Sequence, residues 1–233
     1  YGCVASSVAC TGISLTAKDG SYVQARTIEG AALKLISEYV IIPRGHAMQS
    51  LLPDGTQNGL SYVSLYGYAG LAVEQPEFVI DGTNEAGLSA ALFYFPNYGE
   101  YQQYDEADKD ITLADFQVVS WILSRFSSID QVKSAINNVR IVNVDPTAST
   151  VHWRITEPSG RQVVMEIVNG VPNFYDPVKT AQILNSRKDK IIAVRGKTLN
   201  CLKSTYEKIF KSEIITDLLK VIGCGVEIDG KVK

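Results

Sequence analysis

The stretch that decides the reading is Cys10 to Glu29, CTGISLTAKDGSYVQARTIE. Ile13 and Leu15 alternate with polar neighbours on the way out, and Tyr22, Gln24 and Arg26 alternate on the way back. Between them lies Lys18-Asp19-Gly20-Ser21, whose Asp-Gly pair suits the positive backbone angle of a tight turn. Two alternating runs joined by such a turn predict an antiparallel hairpin over residues 10–28. A hairpin returns the chain, so Arg26 is expected near Cys10, with Glu29 three residues further on.

That grouping suggests chemistry. A thiol beside a guanidinium has a lowered pKa and a larger thiolate fraction. If Cys10 becomes the first residue after processing, its own α-amino group, with an unperturbed pKa of ~7.7–8.0, can serve as the base. A carboxylate such as that of Glu29 would hold and polarise the amine. The plainer alternative is a structural cysteine beside a surface arginine. Upstream, residues 1–9 (YGCVASSVA) are small and apolar and end in Ser7-Val8-Ala9. They resemble the end of a secretory signal whose charged start is missing, with an ordinary N-terminal strand as the alternative.

Further out, Tyr39 to Pro43 is expected as a strand. Leu60 to Ala72 has strand patterning interrupted at Gly67-Tyr68-Ala69-Gly70. Phe78-Val79-Ile80 leads into a turn-rich link, Asp81 to Gly87, and Leu88 to Phe95 forms an apolar strand. Asn97 to Asp110 is polar and acidic and reads as a loop. Thr112 to Asp115 can cap a helix carrying Phe116, Val119, Leu123 and Phe126 at helical spacing. Ser128 to Val139 predicts a second helix. Val151 to Thr156 and Gln162 to Val168 predict a hairpin turning at Pro158-Ser159-Gly160. Hairpin, strands, helical pair and hairpin in that order suit an α+β layered fold, not a parallel βαβ series.

The 233 residues carry a formal charge of −3, which averages two unlike parts. Residues 1–177 hold 10 Lys+Arg against 19 Asp+Glu, and residues 178–233 hold 12 against 6. Aromatic residues fall from 19 in the first part to 2 in the second. The break implies two segments with different partners, or a basic C-terminal helix on an ordinary domain. A charged fraction of 20% with 21 aromatic residues argues against wholesale disorder, and no apolar run reaches the roughly 18 residues of a membrane helix. Four cysteines are too few for a disulfide scaffold. His46 and His152 have no metal-ligand spacing, so no metal or cofactor is expected.

Several segments resemble one family in order. Cys10-Thr11-Gly12 followed by Ala25-Arg26-Thr27-Ile28-Glu29 is similar to the start of the choloylglycine hydrolase and penicillin V acylase family of N-terminal nucleophile amidohydrolases. Pro43-Arg44-Gly45, Asp81 to Leu88 (DGTNEAGL), Leu92 to Pro96, and Val151-His152-Trp153 with Ser159-Gly160-Arg161 extend the likeness to about Asp176. The resemblance implies an αββα sandwich, here incomplete, over residues 10–177. It implies Cys10 as nucleophile, forming a thioester with the acyl group of a linear amide, and Arg26 favouring the thiolate and orienting the substrate. Glu29 stands where the family usually has Asp. Tyr94 falls where bile-salt hydrolases tend to have Asn and penicillin V acylases tend to have Tyr, which tilts the acyl group toward an aryl one; an ordinary strand aromatic is the alternative. The implied substrate is a conjugated bile salt, penicillin V or another N-acyl amide, in a secreted or periplasmic protein that could form a homo-oligomer. Leu184-Asn185-Ser186 is similar to the segment that supplies the family's oxyanion asparagine, but its preceding loop is two residues longer and the following residues differ.

The basic tail, 178–233, reads differently. Ile191 to Val194 predicts a strand, and Thr205 to Phe210 and Ser212 to Ile222 predict Lys-rich amphipathic helices, a short α/β piece. Arg195-Gly196-Lys197-Thr198-Leu199-Asn200 and the segments to Gly225 resemble part of the TOPRIM domain of type IIA topoisomerases (gyrase B subunit), over residues 186–228. The residues that would bind Mg²⁺ there have no counterpart here. The implied alternative is a cytoplasmic, DNA-associated module binding phosphate through its +6 charge, or an inactive fusion of two gene fragments joined near residues 177–186.

Overall fold

The structure, a computed structural model, describes residues 10, 12–26, 28, 35–95, 98–145, 148 and 150–176, with the backbone of two short strands near the C-terminus. The chain divides into two compact units: Tyr1–Thr11 with Thr27–Thr180, and Gly12–Arg26 with Ala181–Lys233.

In the second unit, β1 (Gly12–Thr16) and β2 (Tyr22–Arg26) pair antiparallel as the sequence predicts. Gly20 has φ 84°, and Asp19 Oδ1 accepts from Ser21 N at 2.9 Å and Ser21 Oγ at 2.7 Å. Those two bonds hold the exposed Asp19 carboxyl below its ordinary range. The strands β14 (Glu227–Ile228) and β15 (Lys231–Val232) form a second small hairpin. The remaining tail expectations, including the strand at Ile191 and both Lys-rich helices, lie outside the described residues.

The first unit is organised on a seven-stranded antiparallel sheet. Its strands are β3 (Ser37–Ile42), β6 (Tyr68–Val73), β7 (Val79–Asn84), β8 (Ser89–Tyr94), β11 (Val151–Thr156), β12 (Gln162–Val168) and β13 (Val171–Tyr175), in the spatial order β13-β12-β11-β8-β7-β6-β3. A hairpin of β4 (Ala47–Leu51) and β5 (Gln57–Val63), and a parallel pair of β9 (Thr112–Ala114) and β10 (Arg140–Val142), are the other strands among the described residues of this unit. Register places Leu92, Trp153 and Met165 in one cross-strand row and Ala90, Ile155 and Val163 in the next. All six are buried, and together with α1 (Val118–Arg125) and α2 (Ile129–Ala135) they form the core. Burying each large side chain of this kind is worth roughly 1.5–3 kcal/mol.

Helix α1, VVSWILSR, has seven of its eight residues buried. A buried helix end leaves carbonyls without intrahelical partners. Here strand β7 and the break between β5 and β6 supply them: Asn84 Nδ2 donates to Leu123 O at 2.9 Å and to Phe126 O at 2.7 Å, while the amides of Leu65 and Tyr66 donate to Ser124 O. Asn84 Oδ1 in turn accepts from Ala86 N and Leu88 N, folding the β7–β8 turn. Close approach explains the glycines. A Cβ on Gly82 would stand 2.7 Å from Ala69 O and 2.8 Å from Leu123 Cδ1, and one on Gly70 would stand 2.5 Å from Val79 Cγ1.

Several element expectations are corrected by this packing. The Gly67–Gly70 interruption lies largely inside β6, because Gly70 is needed for strand contact; the actual break runs from Ser64 to Gly67. Residues 81–84 belong to β7 and only Glu85–Gly87 turns. Glu106–Ile111 forms a 3₁₀ helix inside the expected loop. Thr112–Ala114 is a strand, and α1 starts after a further 3₁₀ turn, so Asp115 does not cap it. Ser128 does cap α2, accepting from Gln131 N at 3.3 Å. The hairpin β11–β12 matches the sequence reading at both ends.

Candidate active site

Cys10 carries a free, half-buried thiol in the first unit, two residues along the chain from the start of β1. Arg26 closes β2 in the second unit, and the hairpin register sets it opposite Gly12. The return of the chain that the turn motif implied is therefore present. Ser14 Oγ donating to Gln24 Oε1 at 2.7 Å ties the two strands across the same hairpin. Glu29, Asn185 and the small apolar segment 1–9 lie outside the described residues.

Tyr94 ends β8 in the first unit, where the buried run Ala90–Phe93 gives way to an exposed side chain. It stands opposite Val151 of β11. The next residue, Phe95, continues the ladder: its N–H donates to Thr150 O at 2.8 Å and its carbonyl accepts from Thr150 Oγ1 at 2.6 Å. The Phe95 ring is buried and stacks on His152, centroids 4.7 Å apart, with Tyr98 at 5.7 Å on it as well. His152 Nδ1 lies 3.3 Å from Glu166 Oε1 of β12, and the Arg154 guanidinium lies over the Phe93 ring at 5.4 Å. His152 is thus a packed residue of the sheet face behind Phe95. His46 is exposed between β3 and β4. Among the described residues no three His, Cys, Asp or Glu side chains group as a metal site would require.

The remaining matched segments are structural. Arg44 donates from Nε to Glu85, and Glu85 Oε1 also accepts from Gly67 N at 2.7 Å, so both turns at that end of the sheet share one carboxylate. These partners hold Glu85 below the ordinary carboxylate range, Arg44 first among them. Arg161 makes a bidentate pair with Asp130 at 2.9 and 2.7 Å, tying the β11–β12 turn to α2.

Two polar residues of the first unit stand out that the sequence reading did not single out. Asn84 is the four-bonded clamp described above. Asp115 is fully buried, and burial pushes its carboxyl up to about 7 against the opposing backbone bonds from Val144 and Phe116. Its position directly before a helical run was readable as a cap, which concealed its burial.

The antiparallel sheet of the first unit, packed against α1 and α2, is a layered α+β fold, the class to which N-terminal nucleophile hydrolases belong. The comparison with known families makes this specific: residues 10–186 match the linear amide C-N hydrolases, choloylglycine hydrolase family, and the chain belongs to that family. It is 29% identical over 175 residues to the "Bile salt hydrolase/transferase" of Clostridium perfringens (strain 13 / Type A), covering 72% of this chain and 50% of that protein. Among solved structures, a variant of the conjugated bile acid hydrolase from Clostridium perfringens aligns over 94% of this chain and 75% of its own, with TM-score 0.62 and 19% identity. Penicillin V acylase from Agrobacterium tumefaciens aligns over 94% and 74%, with TM-score 0.64 and 18% identity. The chain spans about half the length of the curated relative named above.

Proposed function

We propose that the chain hydrolyses linear amides through Cys10. The observation that carries the reading is that the family match opens on Cys10 and runs on to residue 186. The thiolate sulfur attacks the amide carbonyl carbon, the carbon–nitrogen bond breaks, and the amine leaves with a proton delivered through the Cys10 α-amino group. Water then attacks the thioester carbonyl, gives its proton to the same amine, and releases the acid and the thiol. Arg26 favours the thiolate and orients the substrate, and Glu29 holds the α-amino group. Tyr94, exposed at the end of β8, contacts the acyl group. Substrates are conjugated bile salts, as the name of the C. perfringens relative suggests, or penicillin V, as the name of the acylase suggests. Tyr94 favours the aryl-acyl choice.

This activity requires removal of residues 1–9 and is placed in a secreted or periplasmic compartment. The boundary of the catalytic segment is proposed near residues 177–186, supported by the end of the family match. The nucleic-acid reading of the tail rests on residues outside the described set and gains no support from the relatives above.

The test is hydrolysis of taurocholate, glycocholate, penicillin V and a simple N-acyl amide, read beside N-terminal sequencing of the active protein. Hydrolysis by a chain that begins at Cys10 bears the reading out. Activity in a chain that retains residues 1–9 overturns the mechanism.

A further inference from the structure

Tyr94 is the last residue of β8, and the residues on either side of it in the chain both meet one side chain of β11. Side chains alternate between the two faces of a strand. The Phe95 bonds to Thr150 continue the ladder past Tyr94, so Phe93 and Phe95 share one face and Tyr94 lies on the other. His152 stands opposite Phe93. Its ring meets Phe93 edge-on, with centroids 6.0 Å apart and planes at 69°. The same ring stacks on Phe95, with centroids 4.7 Å apart and planes at 18°. One imidazole therefore touches both chain neighbours of Tyr94.

The imidazole is itself held. Its Nδ1 lies 3.3 Å from Glu166 Oε1 on β12. A carboxylate only accepts, so this contact places a proton on Nδ1 and fixes the ring's orientation. The flanking rings are covered on their other sides: the Arg154 guanidinium lies over Phe93 at 5.4 Å, and Tyr98 lies against Phe95 at 5.7 Å. The peptide that follows Tyr94 is fixed as well. Phe95 N donates to Thr150 O at 2.8 Å, and Thr150 Oγ1 donates to Phe95 O at 2.6 Å. The end of a strand is where backbone bonds open most readily. Here that end is pinned by two backbone bonds and a wedged ring.

We propose that His152, tethered by Glu166, is a positioning residue that sets the direction in which Tyr94 leaves β8. This rests on the proposed function for the acyl group that Tyr94 meets. The wedge holds Phe93 and Phe95, and with them the backbone angles at Tyr94. Those angles decide which side-chain rotamers Tyr94 can adopt. The two aromatic contacts supply the hold, and the Glu166 tether keeps the imidazole from turning out of the gap.

The test is penicillin V kinetics of the full-length chain, read beside the three-bond couplings of the Tyr94 side chain in a tyrosine-labelled sample. The wild type is expected to hold Tyr94 in one rotamer. His152→Ala is expected to average Tyr94 over its rotamers and to raise KM about fivefold with kcat within about twofold, the pattern of binding lost equally from ground and transition states. Glu166→Ala keeps the ring but frees it, and is expected to raise KM about twofold. Glu166→Gln, whose amide oxygen still accepts from Nδ1, is expected to match the wild type. His152→Phe returns a ring to the gap and is expected to bring KM back to the wild-type value. A merely structural histidine would lower the active fraction and kcat and leave KM alone. Unchanged couplings and KM in His152→Ala overturn the proposal, as does a fall in kcat at constant KM. If His152→Ala does not fold, Glu166→Ala against Glu166→Gln decides by the same two readings. Averaged Tyr94 couplings in His152→Ala, in a chain that never hydrolyses penicillin V, support the positioning role and count against the amidase reading. Hydrolysis with wild-type KM and couplings in His152→Ala does the reverse.

Discussion

Asn84 and Asp115 are both buried polar residues of the first unit, 4% and 0% exposed, and both sit next to α1. Their environments differ. Asn84 spends two donors on the end of the helix and two acceptor positions on the β7–β8 turn. Asp115 fills one oxygen, and the other has no hydrogen-bond partner among the described residues. A saturated buried amide fixes one structure, whereas a buried carboxyl with an open oxygen has two protonation states of comparable energy near neutral pH. The first region is saturated at every pH, and the second carries a charge that depends on pH.

Removing the saturated residue has the largest expected effect on stability. Asn84→Ala leaves two helix carbonyls and two turn amides without their partner, and each buried orphan costs about 1–3 kcal/mol before relaxation and water entry. A loss of about 4 kcal/mol is expected from urea unfolding, the same at pH 6 and pH 8. A loss under about 1 kcal/mol would show that Asn84 is no clamp.

The open carboxyl gives a smaller effect that depends on pH. Its folded pKa of about 7 lies above the ordinary value of 3.8. The folded state therefore holds an extra proton between those limits. The stability this contributes is fully present below 3.8 and is lost as pH rises through about 7. Asp115→Asn keeps the neutral form at all pH values. It is expected to be more stable than wild type at pH 8 by about 2–3 kcal/mol, taking ~1.4 kcal/mol per unit and allowing for relaxation. The gain should vanish toward pH 4, and a gain independent of pH would break the contrast with Asn84. At the small end, Ser128 caps α2 at the surface through a single bond to Gln131 N. Ser128→Ala is expected to cost about 1 kcal/mol in urea unfolding with no pH dependence.

Local signals were readable where chemistry is local. The Asp-Gly turn of β1–β2, the Pro158-Ser159-Gly160 turn of β11–β12 and the start of α2 near Ser128 could be seen in the sequence because adjacent residues determine them. Strands β4, β9, β10 and β13 were missed. β9 and β10 have three residues each, too few for a period, and partners distant in sequence define them. The glycines at 70 and 82 read as breaks although they are where the strands and α1 close on one another. Cys10, Arg26 and Tyr94 were singled out as candidates through spacing and resemblance. The burial of Asp115 was not legible, because the Val144 amide that meets its carboxyl lies 29 residues further along the chain.

The central claim is that Cys10 is the nucleophile of an amide hydrolase. Intact-mass spectrometry of the chain quenched during turnover of penicillin V tests it most directly, with Cys10→Ala alongside. A chain starting at Cys10 and heavier by the phenoxyacetyl group is predicted, with hydrolysis reduced at least about 10³-fold in Cys10→Ala. Hydrolysis by Cys10→Ala at the wild-type rate, or turnover with residues 1–9 still attached, would contradict it.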